Sequence, residues 1–172
     1  MKKPITLLCV LLMLCVLLCA CGGGKSSDGT QQTEPPAVDS SMADIYAEIK
    51  SSVELPDMVE LKDAAHLDRY YGIDGDQVTD FAGGIDSSGV TMTEIVLITA
   101  ADEAAADEVE AKLNTRLQSK LQQNKNYNPE QAEIIEKCKV DRHKNFVTLI
   151  IHKDAETING IIQKHLTSDQ NP

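Results

Sequence analysis

The chain has no tryptophan, two phenylalanines and four tyrosines among its 172 residues. A stacking platform for sugar rings or bases needs aromatic faces, so this class of surface is poorly supplied. Basic residues are also scarce, 16 Lys and Arg standing against 27 Asp and Glu. Nucleic-acid binding requires clustered cations against phosphate, and so acidic a body argues against it. The same balance argues against lying flat on an anionic membrane and reads most simply as the charge that keeps a domain soluble. Catalytic signatures are missing as well. There is no HExxH, no nucleophile elbow, no Ser-x-x-Lys and no recognisable catalytic carboxylate pair, so motifs assign no catalytic residue, metal ligand or cofactor.

Cysteine looks plentiful until it is placed. Of five, Cys9, Cys15, Cys19 and Cys21 fall in the first 21 residues, and Cys138 stands alone. One remaining thiol excludes a disulfide framework and a four-thiolate metal site. Cys138, close to Val140, reads as a small buried hydrophobe, since no His or cation is spaced to activate it.

No apolar run reaches the ~20 residues that span a bilayer. The longest, Ile5 to Leu18, has 14 residues and follows Lys2-Lys3. A basic start, a short apolar stretch and small residues at its end describe an export signal. Leu18-Cys19-Ala20-Cys21 places a leucine three before a cysteine and a small residue just before it, a pattern similar to the bacterial lipobox. That resemblance implies cleavage before Cys21 and lipidation of Cys21. Cys19 is the poorer acceptor because Leu18 precedes it; an ordinary secretory signal and a retained helix are the other readings. Two or three acyl chains would make the anchor stable. The expectation is a signal at 1–20 and a chain held to the cell membrane on its extracytoplasmic face. Loss of Lys2 and Lys3, with no acid, takes the formal net charge from −11 to −13.

Residues 21–40 then read as the lipidated cysteine and a Gly/Ser/Pro-rich tether, stiffer at Pro35-Pro36. Gly24-Lys25-Ser26 imitates the end of a phosphate loop without its earlier glycine or a preceding strand. A single domain is expected over 41–167, followed by a disordered tail at 168–172. Its first helix starts at a capping Ser41 with Asp44 three residues on, buries Met42, Ile45, Ile49 and Val53 on one face, and ends at Pro56. Met58, Val59 and Leu61 read as an apolar connector. A short helix over Asp63 to Tyr71 buries Leu67 and one tyrosine. Val78 to Ile85 and Thr93 to Thr99 read as strands of an antiparallel hairpin, with Gly83-Gly84 a bulge or twisted edge and the second strand apolar on both faces. The longest helix, Asp102 to about Asn124, buries Ala106, Val109, Leu113, Leu117 and Leu121. A short helix opens at Asn128-Pro129. Strands at Glu136 to Asp141 and Phe146 to His152 follow, and then a helix capped by Asp154 with a stripe of Ile158, Ile161, Ile162 and Leu166. The expected fold is α+β in the order α-β-β-α-β-β-α, a small antiparallel or mixed four-stranded sheet with helices mainly on one face.

Tyr70-Tyr71-Gly72-Ile73-Asp74, the Ala/Glu-rich helix after a Glu94-Ile95 strand, Tyr127-Asn128-Pro129-Glu130 and the final apolar hairpin and helix resemble a family of small lipoproteins of Gram-positive-type bacteria described only as a domain of unknown function. The resemblance covers roughly residues 42–167. It implies an exported, lipid-anchored α+β domain, and it carries no activity or site residue.

Several constellations invite chemistry. Asp74, Asp76 and Asp80 suggest calcium, but a calcium loop starting at Asp74 fails at Val78, Thr79 and Ile85; a solvated loop is the simpler reading. His66, His143, His152 and His165 show no metal-ligand spacing. Tyr70, Tyr71 and Tyr127 could line a groove or pack at helix ends. The functional expectation is an interaction module of the cell envelope, its partners the membrane through Cys21 and an envelope protein. The alternatives are a small-molecule or ion-binding lipoprotein and a small envelope hydrolase. A two-lobed transport receptor would need a second domain.

Overall fold

The computed structural model describes residues 40–167. The expected signal, Cys21, most of the tether and the tail lie outside the described residues.

Helix α1 (Met42–Ser52) begins where Ser41 and Asp44 form a reciprocal capping box, and it buries Met42, Ile45, Tyr46 and Ile49. After Pro56 the chain forms strand β1 (Met58–Glu60) and helix α2 (Ala64–Tyr71), capped by Asp63 and closed by Gly72 in the left-handed conformation. Glycine carries no Cβ penalty there. A 3-10 turn at Gly75–Gln77 leads into strand β2 (Val78–Asp86), and strand β3 (Glu94–Ala100) returns beside it. Helix α3 (Glu103–Tyr127) and helix α4 (Pro129–Glu136) meet at Asn128, which ends one and caps the other. Strands β4 (Val140–His143) and β5 (Phe146–Ile151) form a second hairpin, and helix α5 (Ala155–Thr167) closes the domain.

The fold is α+β, but the four-stranded, one-sided sheet is corrected. The sheet has five strands, all neighbours antiparallel, in the order β1-β2-β3-β5-β4. The extra strand is the stretch read as a connector: Met58, Val59 and Glu60 pair with Asp86, Ile85 and Gly84. Three residues carry no periodicity from which a strand can be read. The order gains β1, and the two short helices expected at Asp63 to Tyr71 and from Asn128 stand in it as α2 and α4. Glu136 belongs to α4, so β4 starts four residues later than expected. Gly83-Gly84 is no edge, since β1 covers β2 there. Gly83 instead has φ +147, and a Cβ on it would lie 2.0 Å from the Ile95 carbonyl oxygen, so only glycine lets β2 approach β3 so closely.

Helices cover both sheet faces because the two central strands, β3 and β5, are apolar on both. Val96, Ile98, Ala100, Val147, Leu149 and Ile151 turn toward α2, α3 and α4. Their alternates Ile95, Leu97, Phe146 and Ile150 turn toward α1 and α5. Successive strand residues point to opposite faces, so two sided apolarity demands two helical layers.

Glu94 is the exception in this interior. Its side chain has no exposed surface, and it sits on the α3 face one pair ahead of Val96. Arg116 grips the carboxylate from Nε at 3.0 Å and Nη2 at 2.9 Å, and Lys120 Nζ lies 2.7 Å away. The two cations are one helical turn apart on α3, which brings both to one point. Breaking a buried pair by removing one partner is strongly destabilising. Glu94→Ala is therefore expected to lower stability by about 3–5 kcal/mol in chemical denaturation. Lys50→Ala, which breaks an exposed pair with Glu60, should change it by no more than about 1 kcal/mol.

Candidate functional site

Buried polar residues gather at one end of the sheet. Asp86 ends β2, Thr93 precedes β3 and Glu94 begins it, and His152 follows β5, where Glu94 pairs with Ile151. Lys120 and Asn124 reach this end from α3. Polar groups in an interior must be paired, and here they pair mostly with one another and with the loop between β2 and β3.

That loop is built on Asp86. Its carboxylate accepts from Ser88 N at 2.8 Å, Ser88 Oγ at 2.6 Å, Thr91 N at 2.8 Å and Thr91 Oγ1 at 2.8 Å. Burial opposes the charge, but the Ser88 and Thr91 hydrogen bonds outweigh it and bring the Asp86 pKa down to about 2. Met92 has φ +54, a strained backbone for a side-chain-bearing residue. Lys120 Nζ donates to its carbonyl at 3.2 Å while holding Glu94. Nearby, the Arg116 guanidinium lies 5.7 Å from the Tyr71 ring centre, and burial, reinforced by the Glu94 charge, pushes the Tyr71 hydroxyl well above its usual pKa.

Beside this loop lies a cleft of about 310 Å³. Leu55 and Pro56 from the α1–β1 connector and Ile134 from α4 make its apolar wall. Thr91, Thr93, Gln131 and His152 make its polar floor, with exposed Glu54 and Lys153 also lining it. His152 is fixed from both sides. Its Nδ1 accepts from Asp154 N at 3.0 Å, so Nε2 carries the proton and donates to the Glu54 carbonyl at 3.2 Å. Burial lowers its pKa, so the ring is held neutral. The buried Oε1 of Gln131 has no hydrogen-bond partner among the described residues. Cys138 donates its thiol to Ile134 O at 3.2 Å, and burial raises its pKa, leaving it a poor nucleophile.

The residues singled out from sequence mostly go elsewhere. Asp80 accepts from Met42 N at 2.8 Å and so anchors the start of α1. Asp74 brackets the 3-10 turn, its N–H donating to Gln77 Oε1, and Asp76 is exposed. No group of three or more His, Cys, Asp or Glu is placed to hold a metal ion among the described residues. His66 bonds Asp63 at 2.8 Å, and His143 ends β4, exposed. His165 bridges Glu48 at 2.8 Å and Ser40 at 3.0 Å, joining α5 to α1. The tyrosines share no groove: Tyr71 is core, Tyr70 packs on its edge, and Tyr127 is 90% exposed. Of all these, only His152 borders the cleft. Lys120 and Asn124 were missed, although they continue the 106, 109, 113, 117 stripe at helical spacing, where an apolar residue would ordinarily sit.

Fold and cleft together define a small α+β domain with one polar, loop-built end. The chain belongs to the family described as a domain of unknown function (DUF4358), whose model matches residues 51–152. That span holds every cleft residue named above except Lys153. The chain matches no curated protein and no solved structure.

The Asp86 pKa sets a pH dependence. A carboxyl near 3.8 when unfolded and about 2 when folded adds about 2 kcal/mol of stability above the unfolded value, lost as pH falls through the folded one. Asp86→Asn should therefore flatten the decline in unfolding free energy between about pH 4 and pH 2, read from denaturant titrations at each pH.

Proposed function

We propose that this protein is an extracytoplasmic interaction module, anchored by lipid on Cys21 and engaging an envelope protein through the cleft between the α1–β1 connector, the β2–β3 loop and α4. The reading rests on one observation above all: a cleft with an apolar wall and a polar floor, whose one histidine is locked by two backbone bonds. A general base must be free to take a proton, so His152 suits shaping a surface better than turning over a substrate. The volume is at the low end for ligand sites and suits a side chain or short segment of a partner. An acidic domain on a tether after Cys21 would stand clear of an anionic membrane.

The supporting experiment places a photocrosslinking amino acid at Ile134, or as a control at Gln118 on the polar face of α3, in intact cells. One envelope protein joined from Ile134 and absent from Gln118, with Cys21→Ala releasing the chain from the membrane, is the expected result. Equal labelling from both positions, or retention of Cys21→Ala in the membrane, contradicts it.

A further inference from the structure

The hydrogens of the cleft floor can be assigned by following who must donate. Asp86 is ionised and can only accept, so the Thr91 hydroxyl, 2.8 Å away, donates to it. Thr93 Oγ1 lies 2.9 Å from Thr91 Oγ1. With the Thr91 proton already given to Asp86, the Thr93 hydroxyl donates to Thr91 and keeps only lone pairs for anything else. His152 gives its single ring proton to the Glu54 carbonyl and fills its other nitrogen with Asp154 N–H. Gln131 adds a buried oxygen with no donor among the described residues, and its terminal amide torsion is soft.

The charges point the same way. Lys153 is the one cation among the lining residues, and it is held 2.6 Å from Asp154. Glu54 is exposed and makes no ion pair within 4.0 Å among the described residues, its charge reaching Lys153 only at longer range. The cleft thus offers acceptors and a carboxylate beside an apolar wall of Leu55, Pro56 and Ile134. Anions find few donors there. A cation on a hydrocarbon stem satisfies both parts at once.

We propose that the cleft binds an ammonium or guanidinium group carried on a short aliphatic stem, the stem along Leu55, Pro56 and Ile134 and the head at Glu54, Thr93 and Gln131. The inference rests on the interaction-module reading and names the chemistry its partner would present. Two sources share that chemistry, a Lys or Arg side chain of a partner protein and a free small amine.

The test uses the full chain in detergent micelles, with binding followed by backbone amide shifts of Thr93, Gln131 and His152. The probes are butylamine, Nα-acetyl-lysine amide, Nα-acetyl-norleucine amide and an acetylated, amidated Ala-Ala-Lys-Ala-Ala peptide. Both lysine compounds and butylamine should move these amides, the norleucine compound should not, and Glu54→Gln should weaken binding about fivefold with the remaining spectrum unchanged. Gln131→Met, which keeps the bulk and removes the acceptor, should weaken it similarly. A peptide tighter than the single amino acid identifies a protein source; equal affinity identifies a free amine. Norleucine binding as well as lysine, indifference to Glu54→Gln, or no shift from any amine overturns the proposal. If crosslinking through Ile134 then survives Glu54→Gln, the interaction module stands and only the ammonium assignment falls.

Discussion

The Glu94 carboxylate, with no exposed surface and two cations of α3 closed around it, is the contact from which the polar end of this domain is built. Removing a charge from water is costly, and only partners with good geometry offset it. Arg116 and Lys120 supply them from one helix face, so Glu94 sets both the rotation of α3 about its axis and its position along the sheet. Lys120 then reaches past Glu94 to the carbonyl of Met92 and holds a left-handed residue that would otherwise relax. Met92 stands between Thr91 and Thr93, so the floor of the cleft inherits its position from the carboxylate behind it.

Two apolar layers give this arrangement its rigidity. On one side α1 and α5 cover Ile95, Leu97 and Ile150; on the other α2, α3 and α4 cover Val96, Ile98 and Leu149. A sheet buried on both faces has little freedom to shift, because moving one strand by a residue would exchange its two sets of side chains between distinct cores. The cleft forms where those layers stop and the chain must join β2 to β3 and β5 to α5.

How much of this was legible follows from the range of each signal. The α1 capping box, the α3 stripe as far as Leu117, the Asn128-Pro129 helix start and the pairing of the two hairpins are local patterns that stand in the structure. Beyond Leu117 the buried positions are Lys120 and Asn124, and Leu121 is only half-buried. The two-sided cover of the sheet is legible in β3 and β5 themselves, since strands apolar on both faces need cover on both. Strand β1 was beyond reach because its three residues are a strand only by pairing with β2. Lys120 and Asn124 were readable as polar residues on a buried stripe. The cleft was not, because its lining comes from four separate segments between Glu54 and Lys153, and no spacing rule joins them.

The most direct test of this dependence is native-state hydrogen exchange in Lys120→Met, which keeps the stem and removes the charge. Loss of protection confined to the loop end, at the Asp86 amide that bonds Thr93 O, with Val96 to Ile98 of β3 unchanged, is the predicted result. Unchanged protection at Asp86, or an equal loss throughout β3, would contradict the claim that the α3 cations hold the cleft in place.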